Sequence, residues 1–75
     1  MNKRVKKIIE ERLGLSPDSY TEDSDFVTDL GFDSLDVMDL TMEVEKEYDI
    51  FIPDDVFDKL TTPRKLSDYV DKFVK

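Results

Sequence analysis

The chain has 75 residues, which suffices for one small domain with a modest core. It contains no cysteine and no histidine, so it has no disulfide, no protein thiolate and no imidazole to act as base or metal ligand. Its net charge of −8 disfavours binding to nucleic acid phosphates and suits a basic protein partner, although solubility alone also explains an acidic surface.

The charge is unevenly placed. In residues 1–12, Lys3, Arg4, Lys6, Lys7 and Arg12 are five cations against the two anions Glu10 and Glu11, a net of +3, which leaves −11 for the rest. Val5, Ile8, Ile9 and Leu13 draw one apolar stripe, and Gly14 follows as a stop signal. These features predict a first helix over about residues 2–13. No apolar run is long enough for a signal peptide or a membrane span, so a cytoplasmic location is expected.

Residues 15–33 show no sustained period. Leu15, Tyr20, Phe26 and Leu30 are spaced through them as anchors, which predicts a long loop packed on the core. Asp33 and Ser34 are both favoured cap residues, and acidic Asp36 suits a first turn. A second helix is therefore expected from about Ser34 to Tyr48. After Pro53, the segment Asp54 to Leu60 reads as one or two helical turns. Thr62-Pro63 is a cap followed by proline at a first helical position. Beyond it Leu66, Tyr69, Val70, Phe73 and Val74 mark a last helical stripe. No strand-like alternation is convincing. The fold class is all-α, with three main helices and one short one, forming a single domain over 1–75.

The second helix carries two apolar sectors. At about 100° per residue, Val37, Leu40, Thr41, Val44 and Tyr48 share one side, the expected core stripe. Leu35, Met38 and Met42 fall nearly opposite. Either the neighbouring loop and short helix cover this second stripe, or it is an exposed docking patch, for which adaptable methionine is well suited. Asp36, Asp39, Glu43 and Glu47 recur beside it at spacings of three or four. Like charges so placed mildly oppose a helix, so the row is read as serving a partner instead of helix stability.

A serine at a helix start is most often a cap. Ser34 also follows the turn-forming Gly31-Phe32-Asp33, and a helix N-terminus stabilises a phosphate. No histidine exists to activate it as a nucleophile. A modified serine fits better than a reacting one.

The run Asp29-Leu30-Gly31-Phe32-Asp33-Ser34-Leu35-Asp36 resembles the signature of acyl carrier proteins, in which Asp-Ser-Leu opens the second helix. The likeness continues through Glu45-Lys46-Glu47-Tyr48-Asp49, Ile52-Pro53-Asp54-Asp55, Lys59-Leu60-Thr61-Thr62 and the Tyr69 helix. The resemblance implies a four-helix acyl-carrier-like bundle that is not an enzyme. It implies 4′-phosphopantetheine moved from coenzyme A to Ser34 by a phosphopantetheinyl transferase, with Asp33 and Leu35 flanking the attachment point. The thiol of that arm bears an acyl thioester. Acyl-transferring and chain-elongating enzymes with basic docking surfaces are the implied partners, in fatty acid or polyketide-type biosynthesis. They are expected to meet Leu35, Asp36, Met38, Asp39, Met42, Glu43, Glu45 and Glu47 on a monomeric carrier.

The chain departs from the family at Phe32, where a small residue is usual, and in the apolar character of Phe51, Val56 and Phe57. In the family an acyl chain can enter a cavity between helices. These aromatics bear on the cargo, not on the carrier role. The Arg64-Lys65 pair also interrupts the acidic surface and bears on partner choice. An amino-acyl carrier is the alternative within the family. Outside it stand an acidic helical interaction module with no prosthetic group and a calcium-binding module. For calcium, no register over Asp23 to Asp36 meets the EF-hand spacing, since starting at Asp23 puts Thr28 at the position that needs glycine. No metal site is assigned.

Overall fold

The computed structural model describes residues 1–73; Val74 of the last predicted stripe lies outside the described residues. Among the described residues four helices follow one another: α1 Lys3–Leu13, α2 Ser34–Tyr48, α3 Asp54–Phe57 and α4 Pro63–Asp71. A single 3₁₀ turn, Pro17–Ser19, interrupts the long α1–α2 connection. Among the described residues there is no strand, so the all-α expectation holds.

Side chains fix the helix ends. Asn2 precedes α1 and its Oδ1 accepts the N–H groups of Arg4 and Val5, while Gly14 ends the helix at φ 66°. The helix thus starts one residue later than the expected 2–13, because Asn2 serves as its cap. Thr62 caps α4 by accepting the Lys65 N–H, with Pro63 at the first helical position. The short helix was expected to reach Leu60 but stops at Phe57. Beyond it, the N–H groups of Lys59 and Leu60 bond the carbonyls of Val56 and Phe57, three residues back. That tighter pattern closes a turn without prolonging an α-helix.

Helix α1 packs on both α2 and α4. Val5, Ile8 and Ile9 from α1 meet Val37, Leu40 and Val44 from α2 and Leu66 and Val70 from α4. One side chain joins all three helices. Asn2 donates its backbone N–H to the buried Ser67 hydroxyl and its Nδ2 to Asp71, while Tyr48 donates its hydroxyl to Asn2 Oδ1.

The long connection is packed, as its anchors predicted. Tyr20 and Phe26 are buried, with Leu15 and Leu30 lying against the same core. The Tyr20 hydroxyl donates to Glu10 at 2.6 Å. Burial, then this bond to a carboxylate, pushes the phenol well above its ordinary range. Arg64 holds the loop from the other side through Glu22 and Asp23. That arginine, one of the pair that interrupts the acidic surface, is therefore engaged within the chain.

Candidate functional site

The approach to Ser34 is a wound turn. Asp25 Oδ1 accepts the N–H groups of Val27 and Thr28, and Asp29 Oδ2 accepts the Asp25 N–H at 2.7 Å. The Thr28 N–H first, then that of Val27, hold the Asp25 carboxyl below the usual carboxylate range. Two longer ties fix the turn to the body: Phe26 N–H to the Thr61 carbonyl, and Phe32 N–H to the Phe26 carbonyl. Gly31 leaves the turn at φ 76°, a conformation that side-chain-bearing residues adopt at a cost.

The first turn of α2 is a capping box. Asp33 Oδ1 accepts the Asp36 N–H at 3.0 Å, and Asp36 Oδ2 accepts the Asp33 N–H at 3.2 Å. Asp33 is therefore the cap and Ser34 the first helical residue. Of the two favoured cap residues, Asp33 takes the role and Ser34 does not. Asp33 reaches the donor with its side-chain oxygen, leaving the hydroxyl next to it without that task. Ser34 is exposed, and its hydroxyl makes no hydrogen bond among the described residues. The N–H groups of Ser34 and Leu35 likewise have no acceptor among them, as the open end of a helix dictates.

Beside Ser34 opens an apolar cleft of about 140 Å³, walled by Phe26 and Val27 of the turn, Val37 of α2, and Phe57, Leu60 and Thr61 beyond. Neither Phe32 nor Phe51 lines it. The loop side of this wall went unforeseen. The signal was present in Phe26-Val27, two adjacent apolar residues of which only Phe26 serves the core while Val27 stays half-exposed.

The second stripe of α2 is uncovered: Leu35 is 70%, Met38 45% and Met42 58% exposed. Around it the acidic residues fall into different situations. Asp36 belongs to the capping box. Asp39 pairs with Arg12 of α1 at 2.5 Å, and Glu47 pairs with Arg4. Glu45 is turned to the end of the helix, where its carboxylate accepts the Ile52 N–H at 2.6 Å. Glu43 has no ion-pair partner among the described residues. The acidic row was read as having no part in stability. Asp36 corrects that, since its carboxylate closes the helix start. The basic segment and the acidic body, counted apart in the sequence, meet along the α1–α2 seam. No cluster of potential metal ligands occurs among the described residues.

An exposed serine hydroxyl at a helix mouth thus stands beside an apolar cleft. The sequence profile described as "Phosphopantetheine attachment site" matches residues 3–70. A protein named acyl carrier protein, from Zymomonas mobilis subsp. mobilis, is 44% identical over 69 residues, which cover 92% of this chain and 88% of the relative. The chain belongs to the phosphopantetheine-carrying acyl carrier protein family. It is a carrier and not an enzyme, and its prosthetic group is 4′-phosphopantetheine. No helix among the described residues is long and apolar enough to cross a membrane.

The residues present fit such a group. A phosphodiester on a first-turn oxygen would lie next to two unpaired backbone N–H groups and the positive end of a fifteen-residue helix. When bound, the arm supplies the thiol that this sequence lacks.

Proposed function

We propose that Ser34 is the attachment residue, and that the chain, acting as one domain, delivers acyl thioesters to enzymes of fatty acid or polyketide-type biosynthesis. The observation that carries the site assignment is the division of labour at the start of α2. Asp33 and Asp36 satisfy each other's N–H groups, and the Ser34 hydroxyl stands exposed with no structural bond. Capping is thus discharged by other residues, and the hydroxyl is open to a transferase.

The chain's own residues then have separable tasks. The wound turn over residues 25–32 fixes where Ser34 stands. The apolar cleft beside it excludes water from part of whatever the arm bears. Leu35, Met38 and Met42 offer partner enzymes an apolar landing strip along α2. Asp36, Asp39, Glu43, Glu45 and Glu47 surround it with negative charge that draws basic surfaces and speeds encounter. Of these, Glu43 is the least committed within the chain, and Glu45 is the most committed through Ile52.

Incubation with coenzyme A and a broad-specificity phosphopantetheinyl transferase tests the assignment. Intact-mass measurement should find one added arm, and peptide mapping should place it on Ser34. An unmodified chain, or an arm on another serine, refutes it. A pure interaction module with no prosthetic group predicts the unmodified chain.

A further inference from the structure

A second cleft lies along α2 just past the first. It measures about 200 Å³ and is bounded by Met38, Thr41, Met42 and Glu45 on α2, and by Phe51, Ile52, Asp54 and Phe57 opposite. The first cleft touches α2 at Ser34 and Val37. The two therefore follow each other along one helix, starting at the proposed attachment serine. They share a single residue, Phe57. It closes α3 and is half-buried, with its ring packed against the edge of the core.

We propose that Phe57 is the partition that sets the length of acyl group this carrier shelters. The first cleft has about the size of an engineered apolar cavity known to accept benzene, so it takes an aliphatic group of about six carbons. A longer chain meets the Phe57 ring. Beyond the ring lies the second cleft, with Met38, Met42 and Phe51 on its walls, and Phe57 is the one residue that lines both. Removing the ring joins the clefts into one groove that runs from Ser34 to Glu45. The length of the groove comes from the helix and its interruption from Phe57. This inference rests on the reading of Ser34 as the arm-bearing residue.

The test uses the full chain loaded from butyryl-, hexanoyl-, octanoyl- and decanoyl-coenzyme A, with intact mass recorded first. The rate of thioester cleavage by hydroxylamine is then compared with that of the same acyl-pantetheine free in solution. Each methylene that enters an apolar site should favour the sheltered state about fourfold. In the unaltered chain, protection should grow from butyryl to hexanoyl and then level off. In Phe57→Ala it should keep growing through octanoyl and decanoyl. Phe57→Leu, which retains apolar contact with the core, should shift the limit the same way by a smaller amount, and it serves where the alanine variant is poorly folded. Two results overturn the proposal: decanoyl protected in the unaltered chain as far beyond hexanoyl as the fourfold rule demands, or an unchanged length profile in both variants. If no arm appears at Ser34 in the mass spectrum, the carrier assignment itself has failed and the inference falls with it. A loaded chain with the wrong length profile rejects the partition alone.

Discussion

The division of labour at the start of α2 makes a sharp prediction about two adjacent residues. Asp33→Ala removes the carboxylate that accepts the Asp36 N–H at 3.0 Å and leaves the Asp36 carboxylate facing only the backbone N–H of residue 33. Loss of an N-cap of this kind costs about 1 kcal/mol. In a domain of this size that lowers the midpoint of thermal unfolding by about 4–8 °C. Ser34→Ala removes an exposed hydroxyl with no partner, and alanine is the better helix former by up to about 0.5 kcal/mol. Its midpoint should therefore stay level or rise slightly. Thermal and urea unfolding followed by far-ultraviolet circular dichroism measure both. Intact mass after transferase treatment supplies the second axis: Ser34→Ala takes no arm although fully folded. Asp33→Asn, which keeps a side-chain acceptor, should recover most of the loss seen in Asp33→Ala. If Ser34→Ala were destabilised by about 1 kcal/mol or more, the serine would be a structural cap and the reasoning that singles out its hydroxyl would collapse.

Other consequences can be checked on the same unfolding assays. Gly31→Ala meets no steric neighbour, since nothing lies within 4 Å of an added Cβ, but it must hold φ 76°; a loss of about 1–2 kcal/mol in urea unfolding is expected from conformation alone. Asp25 has its folded pKa below its unfolded value, so its stabilising contribution is present above the unfolded pKa and is lost as pH falls through the folded one. Asp25→Asn, which keeps the acceptor but cannot titrate, should flatten the plot of urea midpoint against pH below about pH 4; an unaltered acid limb would show that the turn does not sense this carboxyl. Arg12→Ala and Arg4→Ala each break an exposed pair, so unfolding should move by no more than about 1 kcal/mol. Association with the transferase, timed by stopped flow at low salt, should quicken because Asp39 and Glu47 are unmasked. Charge reversal at Glu43, which has no ion-pair partner among the described residues, should slow that association, with the effect fading as salt rises.

Most of the helical frame was legible because its ends carry chemical marks. Asp33 before the first apolar turn, Gly14 after Leu13 and Thr62-Pro63 each do by side chain what a helix end requires, and the structure uses all three. The end of α3 carried no such mark, and past Phe57 the chain tightens through bonds to carbonyls three residues back. The cap itself was ambiguous because Asp and Ser are nearly equivalent there by type. What decides between them is the reciprocal bond from Asp36, a matter of geometry. The tie from Phe26 N–H to the Thr61 carbonyl was invisible in principle, since a backbone bond leaves no side-chain signature and spans thirty-five positions. The pairs Arg12–Asp39 and Arg4–Glu47 were hidden for a related reason. Their partners were both noted, but only the crossing of α1 over α2 says which cation meets which acid.

Those seam pairs bear on how the proposed docking face would work. Both are largely exposed, and an exposed ion pair contributes about 0–1 kcal/mol. A partner's arginine can therefore take Asp39 from Arg12 with little net change in energy, since one solvated pair replaces another. The exchange adds little affinity, and it liberates a cation on α1 that then faces the incoming basic surface. Affinity along this face must come chiefly from the apolar side chains that lose water, Leu35, Met38 and Met42. The acids contribute mainly to encounter and to register. Truncating Met38 or Met42 should accordingly raise the rate of dissociation, whereas changes at Glu43 should act on the rate of association. The reverse pattern would place the binding energy in the charges and remove the reason for leaving three large apolar side chains in water.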